Sequence, residues 1–293
     1  METMERFLAG YIQEIIRNYP QDRDGQRFQQ MYFQYISSGE LAFSYRWCIL
    51  TYNVGMFFKV NQRLDYAEQI FRYLIQVYDK KLSDPTERAQ YIGVAGETYD
   101  SLAGVYDEKN DRLRALPALT LALTCYAEAA QTDRNYLVYA ASAGYGLGLI
   151  QLRSKNEIEA EKIFKDAVRN FRGCMSVPGV DRAQATVGLL KVLNSLGTLY
   201  YNRKKVSEAW NCHSEAAKVF TEAQKAGLVT DMAMSVMADV YGNMGNEYAD
   251  FGDYASARMY YNAGLRFCDA LENRMPSISR SRRAIGRNMA TLR

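Results

Sequence analysis

The chain has 293 residues, 48% of them hydrophobic, and a formal net charge of +3 from 36 Lys and Arg against 33 Asp and Glu. That composition excludes a disordered chain, and it lacks the strongly basic balance that neutralising a nucleic acid requires. Five cysteines, Cys48, Cys125, Cys174, Cys212 and Cys268, lie far apart with no C-x-x-C pair, which argues against a zinc or redox motif and for reduced, buried thiols of a cytoplasmic protein.

The first element, Met1 to Tyr19, sets Phe7, Leu8, Tyr11, Ile12, Ile15 and Ile16 among charged residues. This is the pattern of an amphipathic helix and not of a signal peptide, and no stretch approaches the roughly 18 apolar residues of a membrane span. Pro20 breaks the helix, and Phe28, Met31, Tyr32, Tyr35 and Ile36 mark a second apolar stripe. Residues 1–39 are therefore expected to form a helical hairpin that caps the exposed face of the first repeat.

From residue 40 to residue 276 the sequence repeats itself. The first copy has Val54, Gly55 and Phe58, then Ala67 and Phe71; the second has Tyr99, Leu102, Ala103 and Tyr106, then Ala115 and Leu119. The third has Leu147 and Gly148, then Ala160, Phe164 and Ala167. Leu193, Leu196, Gly197 and Tyr200, then Ala209 and Ala216, make the fourth; Tyr241, Met244, Gly245 and Tyr248, then Ala257, Tyr261 and Gly264, make the fifth. In each copy the two small residues are 12 positions apart. Such regularity predicts two antiparallel helices, A and B, whose backbones approach most closely at the small pair, where a larger side chain would push them apart. The aromatic one turn beyond the helix-B alanine is then placed to pack on helix A of the next repeat.

Punctuation agrees with this division. Asp84 before Pro85 reads as an N-cap, Lys155-Asn156 and Gly252-Asp253 as turns from A to B, Gly227 and Pro276 as ends of B helices, and Gly173 to Gly179 as a loop between repeats. The run from Gly144 to Gly148 falls inside a helix A with no strand before it, so close helix packing is expected there and not a phosphate-binding loop. His213, the sole histidine, takes the position that Phe71, Phe164 and Tyr261 hold in other copies. It reads as a packing residue, which argues against histidine-based catalysis or a histidine-rich metal site. Past residue 276, Arg282, Ile285, Gly286 and Met289 fit helix A once more, so residues 277–293 are expected to be a basic helix, a cap or the start of a sixth repeat. Its arginines, Arg280, Arg282, Arg283, Arg287 and Arg293, lack interleaved aromatics and read as a solvated face.

The pattern of a large residue, then Leu-Gly, then an aromatic, followed by A-x3-F, resembles the tetratricopeptide repeat over roughly residues 40 to 292. The resemblance implies an all-α fold: a right-handed α-α superhelix of about five helical hairpins, with an N-terminal capping hairpin and a C-terminal capping helix. The anchors Gly55, Ala103, Gly148, Gly197 and Gly245 recur every 45–49 residues, against about 34 in the ordinary repeat. Each helix should then be longer by about 10 Å at 1.5 Å per residue. Such long repeats are similar to those of bacterial regulatory and signalling members of the superfamily, including peptide-pheromone receptors and the sensor arms of transcription regulators.

In this family the concave groove is lined by helix-A positions six before, three before, one after and four after the anchor. The resemblance therefore implies a peptide-binding surface of Tyr52, Met56 and Lys59; Glu97, Asp100 and Asp107; Tyr145, Leu149 and Leu152; Lys191, Asn194, Thr198 and Tyr201; and Asp239 and Asn246, with Asp250 at the end of the fifth helix A. Asparagine can bond a peptide backbone in either polarity, and tyrosine offers a stiff apolar face with a polar tip. The chaperone-type carboxylate clamp pairs a lysine three before the anchor with an asparagine one after it, and no copy here has both. A protein- or peptide-binding scaffold is expected, cytoplasmic, with no enzymatic activity, no cofactor or metal, and no nucleic-acid or membrane partner. The alternative is the ligand- or peptide-sensing domain of a bacterial transcriptional or signalling regulator.

Overall fold

The computed structural model describes residues 10–15, 17 and 44–292. Of the capping hairpin expected over residues 1–39, residues 10–15 are helical with Ile12 and Ile15 buried; the remainder of that expectation, apart from helical Arg17, lies outside the described residues. Tyr11 sets its ring edge against Phe58 and Tyr66, at centroid distances of 5.3 and 5.6 Å.

Among the described residues every regular element is helical, and the chain divides into two compact units between Tyr136 and Leu137. The first unit holds α1 (Tyr45–Val60), α2 (Leu64–Leu82), α3 (Pro85–Glu108) and α4 (Arg112–Ala129). The second holds α5 (Tyr136–Arg153, whose first residue falls in the first unit), α6 (Glu157–Met175), α7 (Arg182–Asn202), α8 (Val206–Lys225), α9 (Asp231–Asp250), α10 (Tyr254–Leu271), a 3-10 turn at Pro276–Ile278, and α11 (Ser279–Ala290). Odd-numbered helices up to α9 are the A helices of the repeat and even-numbered ones the B helices. Within the first unit α2 packs on both α1 and α3, and within the second α8 packs on both α7 and α9, so these two B helices bury their apolar stripes between two A helices.

The spacing of 12 has a specific physical cause. A Cβ built on Gly55 would stand 2.6 Å from the Phe71 ring, one on Gly148 2.5 Å from Phe164, and one on Gly245 2.5 Å from Tyr261. The helix-B aromatic thus lies directly over the anchor of its own repeat, a contact that the expected packing on the next repeat did not include. Only a residue without a side chain leaves room for a ring at that height. His213 occupies the same place over Gly197.

The turns from A to B obey a second rule. Seven residues after each anchor the backbone is left-handed: φ is 60° at Gln62, Asn110 and Lys155, 61° at Lys204 and 77° at Gly252. The next residue's N–H reaches back five positions, as from Arg63 to Phe58 O at 2.8 Å and from Lys205 to Tyr200 O at 2.9 Å, which is the Schellman closure of a helix C-terminus. A side chain in that conformation costs about 1–2 kcal/mol, yet only the fifth copy uses glycine. Asp84 accepts from Thr86 N at 2.8 Å with Pro85 opening α3, and Gly227 follows the last turn of α8 at φ 68°, both as read from the sequence. The loop expected from Gly173 is shorter, because α6 runs through to Met175.

All five cysteines are buried and unpaired. Burial pushes the Cys48 and Cys212 thiols up to about 12 and Cys125 up to about 11, so little reactive thiolate exists at neutral pH. An alkylating reagent at pH 8 is expected to leave the native chain unlabelled and to label five thiols once urea unfolds it, as read by intact mass. Labelling of Cys48 at the unfolded rate in native buffer would contradict this packing.

Candidate functional site

The helix-A faces carry the residues read as a groove, and the structure shows what each one touches. In the first unit Tyr52 Oη lies 2.9 Å from Ser101 Oγ, Ser101 Oγ donates to Met56 Sδ at 3.3 Å, and Lys59 Nζ donates to Ser101 O at 3.4 Å. Tyr126 Oη donates to Asp100 Oδ2 at 3.5 Å. Burial raises both the Glu97 and the Asp100 carboxyls above their ordinary values, with the Asp100 charge adding to the rise at Glu97, and burial lowers the Lys59 ammonium. Asp107 stands half-buried in the last turn of α3.

In the second unit Tyr145 tilts against Phe164 at 5.7 Å, and its hydroxyl lies 2.8 Å from Ser195 Oγ. Leu149 and Leu152 pack on the core of this unit. Asn243 donates through Nδ2 to Asn194 Oδ1 at 2.9 Å and to Thr198 Oγ1 at 3.3 Å. Tyr201 Oη donates to Asp250 Oδ2 at 2.6 Å, and Asn246 Oδ1 accepts from Tyr261 Oη at 2.7 Å and from Asn288 Nδ2 at 2.9 Å.

A regularity emerges that the sequence pattern does not show. The residue three before one anchor bonds the residue two before the next: Tyr52 with Ser101, Tyr145 with Ser195, Asn194 with Asn243. These side chains are struts between neighbouring A helices as much as they are ligand-facing groups. Ser101, Ser195 and Asn243 are legible in the sequence only as small polar residues recurring two before the anchor, a signal that has no meaning until the A helices are known to be adjacent.

Lys191 is different. It is half-buried on α7, burial alone lowers its ammonium, and it has neither a hydrogen bond nor an ion pair among the described residues. On α9, burial raises Asp239, while a hydrogen bond from Ser281 and the charge of Arg280 oppose the rise. The arginine-rich α11 is partly committed within the unit: Arg282 pairs with Glu272 at 2.7 Å and with Asp269, and Ile285 is buried over Gly242 and Gly264. Arg280, Arg283 and Arg287 are exposed, and Arg293 lies outside the described residues.

His213 is fully buried, and Nδ1 lies 2.7 Å from Oε1 of Glu247, itself 1% exposed. Among the described residues His213 Nε2 and Glu247 Oε2 have no hydrogen-bond partner. Placing the ring hydrogen on Nδ1 leaves no buried N–H unsatisfied, so the imidazole donates to the carboxylate. Among the described residues no group of three or more His, Cys, Asp or Glu could hold a metal ion, and no helix is long and apolar enough to cross a membrane.

No protein-family model and no curated protein matches this sequence. Solved structures do match in fold. BtubC (BKLC) from P. vanneervenii is 18% identical with a TM-score of 0.58, the match covering 94% of this chain and 93% of that one. A Rap protein complexed with Competence and Sporulation Factor is 14% identical with a TM-score of 0.53, covering 99% and 74%. The Cut9–Hcn1 structure from the APC/C is 14% identical with a TM-score of 0.52, covering 97% and 52%. At these identities the likeness is one of fold, and the fold these proteins share is the tetratricopeptide-like helical solenoid.

Proposed function

We propose that this chain, a solenoid of tetratricopeptide-like fold, is a protein-interaction scaffold that holds an extended peptide or protein segment on its helix-A faces. The observation that carries the reading is Lys191. A half-buried ammonium without a counter-charge destabilises the free protein, and a ligand carboxylate laid along α7 would supply what is missing. Around it the A helices offer the mixture that suits a peptide: Tyr145 and Leu149 as apolar contact, Asn194 and Thr198 as hydrogen-bonding rows, and Asp239 as an acidic counterpart on α9. The struts between A helices hold these rows in place before any ligand arrives, which lowers the entropy lost on binding. Buried, unpaired cysteines support a reducing compartment such as the cytoplasm. Binding is favoured over catalysis because the one histidine is sealed in the core.

The experiment is to use the purified chain as bait in a lysate of its own source, beside Lys191→Glu and the exposed control Arg283→Glu. Lys191→Glu is expected to lose at least about tenfold in retention of a partner that the other two hold, the low end for removing one side of a desolvated charge pair, with an unchanged helical circular dichroism spectrum. Equal retention by all three moves binding off the A-helix face. Asn194 and Asn246 are poor choices here, since both are bonded to neighbouring side chains and their loss would loosen the array itself. The narrower reading, a peptide sensor within a bacterial regulator, is supported by the Rap protein of the same fold that is complexed with Competence and Sporulation Factor; retention of a short free peptide in place of a folded protein would favour it.

A further inference from the structure

A second surface of the second unit is lined by residues other than the groove positions. Between the first turn of α8 and the last turn of α9 is a pocket of about 380 Å³, lined by Val206, Ser207, Trp210, Asn211, Glu247, Tyr248 and Phe251. Its walls are aromatic: Trp210 meets Tyr248 edge to face at 5.1 Å, Tyr248 stacks on Tyr260 at 5.3 Å, and Phe251 is 69% exposed. Glu247 also lines it, 1% exposed, with Oε1 held by His213 and Oε2 without a partner. None of the lining residues is basic, and the nearest lysine in sequence, Lys205, is engaged over the Tyr200 ring at 5.8 Å. A hollow on α2 of about 360 Å³ also contains a carboxylate, Glu68, but that group is already paired with Lys109 at 2.6 Å and Arg114 at 2.8 Å.

From this geometry we propose that the α8–α9 pocket binds a methylated ammonium group, the head of a methylated lysine or of a free quaternary amine. Three physical arguments select that chemistry. An unneutralised carboxylate under a low-dielectric aromatic wall attracts a cation, and aromatic rings lining a pocket can add to the attraction. The backbone terminals roughly cancel, since α9 ends here with carbonyls that favour a cation and α8 begins here with N–H groups that oppose it; each amounts to about half a charge, and Glu247 carries a whole one. Finally, Glu247 exposes too little surface to accept several hydrogen bonds. A guanidinium or a bare ammonium would leave N–H groups unsatisfied on entering, whereas a methylated ammonium has few or none to satisfy.

The test is a fluorescence titration of the whole chain. Trp210 lines the pocket, while Trp47, the other tryptophan, is 1% exposed in the first unit and supplies a constant background. Choline and trimethyl-lysine are expected to change the emission saturably, with lysine and guanidinium at least about tenfold weaker, and with the uncharged choline isostere 3,3-dimethylbutan-1-ol weaker by a similar factor. Saturation by choline alone would identify a free amine as the source, and saturation by a trimethyl-lysine peptide more tightly than by choline a protein side chain. Glu247→Gln should weaken binding at least about tenfold. Should that variant fold poorly, Asn211→Lys at the exposed wall is the second arm: it sets a competing ammonium at the entrance and should abolish the response with the native circular dichroism spectrum intact. The proposal is overturned if the neutral isostere binds as tightly as choline, if Asn211→Lys leaves binding unchanged, or if no cation gives a saturable response.

Discussion

His213→Phe is expected to lower the unfolding free energy by about 3 kcal/mol, the upper range of the loss when a buried acceptor, here a carboxylate, is left without its hydrogen bond. By the repeat pattern the change should be harmless, since phenylalanine holds the same place over the anchor at Phe71 and Phe164. The cost comes from Glu247. Its Oε2 already lacks a partner, and loss of the His213 hydrogen bond would leave both oxygens of a carboxylate that is 1% exposed without one. Adding Glu247→Leu removes the stranded group, so the double variant should return to within about 1 kcal/mol of the original protein, as replacement of a whole buried pair by apolar residues commonly does. Urea unfolding followed by circular dichroism at all four corners of the cycle checks this. A single His213→Phe variant as stable as the parent would show that position 213 is a packing site and nothing more.

The second large effect concerns the ring over the anchor. Phe164→Ala should cost about 3–5 kcal/mol, combining lost burial of a fully enclosed ring with the cavity it leaves. Gly148→Ala alone should cost about 1–2 kcal/mol net: its new methyl would stand 2.5 Å from that ring, and overpacking of about 1–3 kcal/mol outweighs the gain of up to about 1 kcal/mol from alanine's helix propensity. In the Phe164→Ala background the sign reverses. The methyl then enters vacated space and the propensity gain remains, so Gly148→Ala should stabilise that variant. The same urea titrations measure it; additive losses would mean that the ring does not rest on the glycine and that the spacing of 12 has another cause. Tyr145, tilted against the same ring, ties this packing to the helix-A face.

Much of this architecture was legible because it is written in small residues. The helix pairs and the anchor contacts follow from positions 55, 103, 148, 197 and 245 and their partners 12 residues on, since glycine and alanine at a fixed interval have few other physical uses than close approach. The left-handed turns were visible only where they coincide with turn chemistry. Gly252 announces one, whereas Gln62 and Lys204 adopt the same φ under compulsion from the helices on either side. The groove positions were placed by resemblance, and their roles were half obscured. Nothing local to Tyr145 or Asn194 says that each will find its partner 49 or 50 residues away.

Glu247 shows the division most sharply. It lies on the stripe Val240, Met244, Glu247, spaced by four and three, where a helix buries its apolar face. The repeat pattern places no demand on that position, so the carboxylate drew no notice in the sequence. Its pairing with a histidine 34 residues earlier, and its second role beneath an aromatic pocket, depend on how α8 lies against α9. The sequence by itself determined which segments are helical, how they pair, and where side chains must be absent, because these depend on periodicity and volume along one chain. Only the tertiary structure decided which polar groups are spent on one another and which, like Lys191 and Glu247 Oε2, have no partner among the described residues. Hydrogen bonds between elements depend on distances of a few tenths of an ångström that no local pattern encodes.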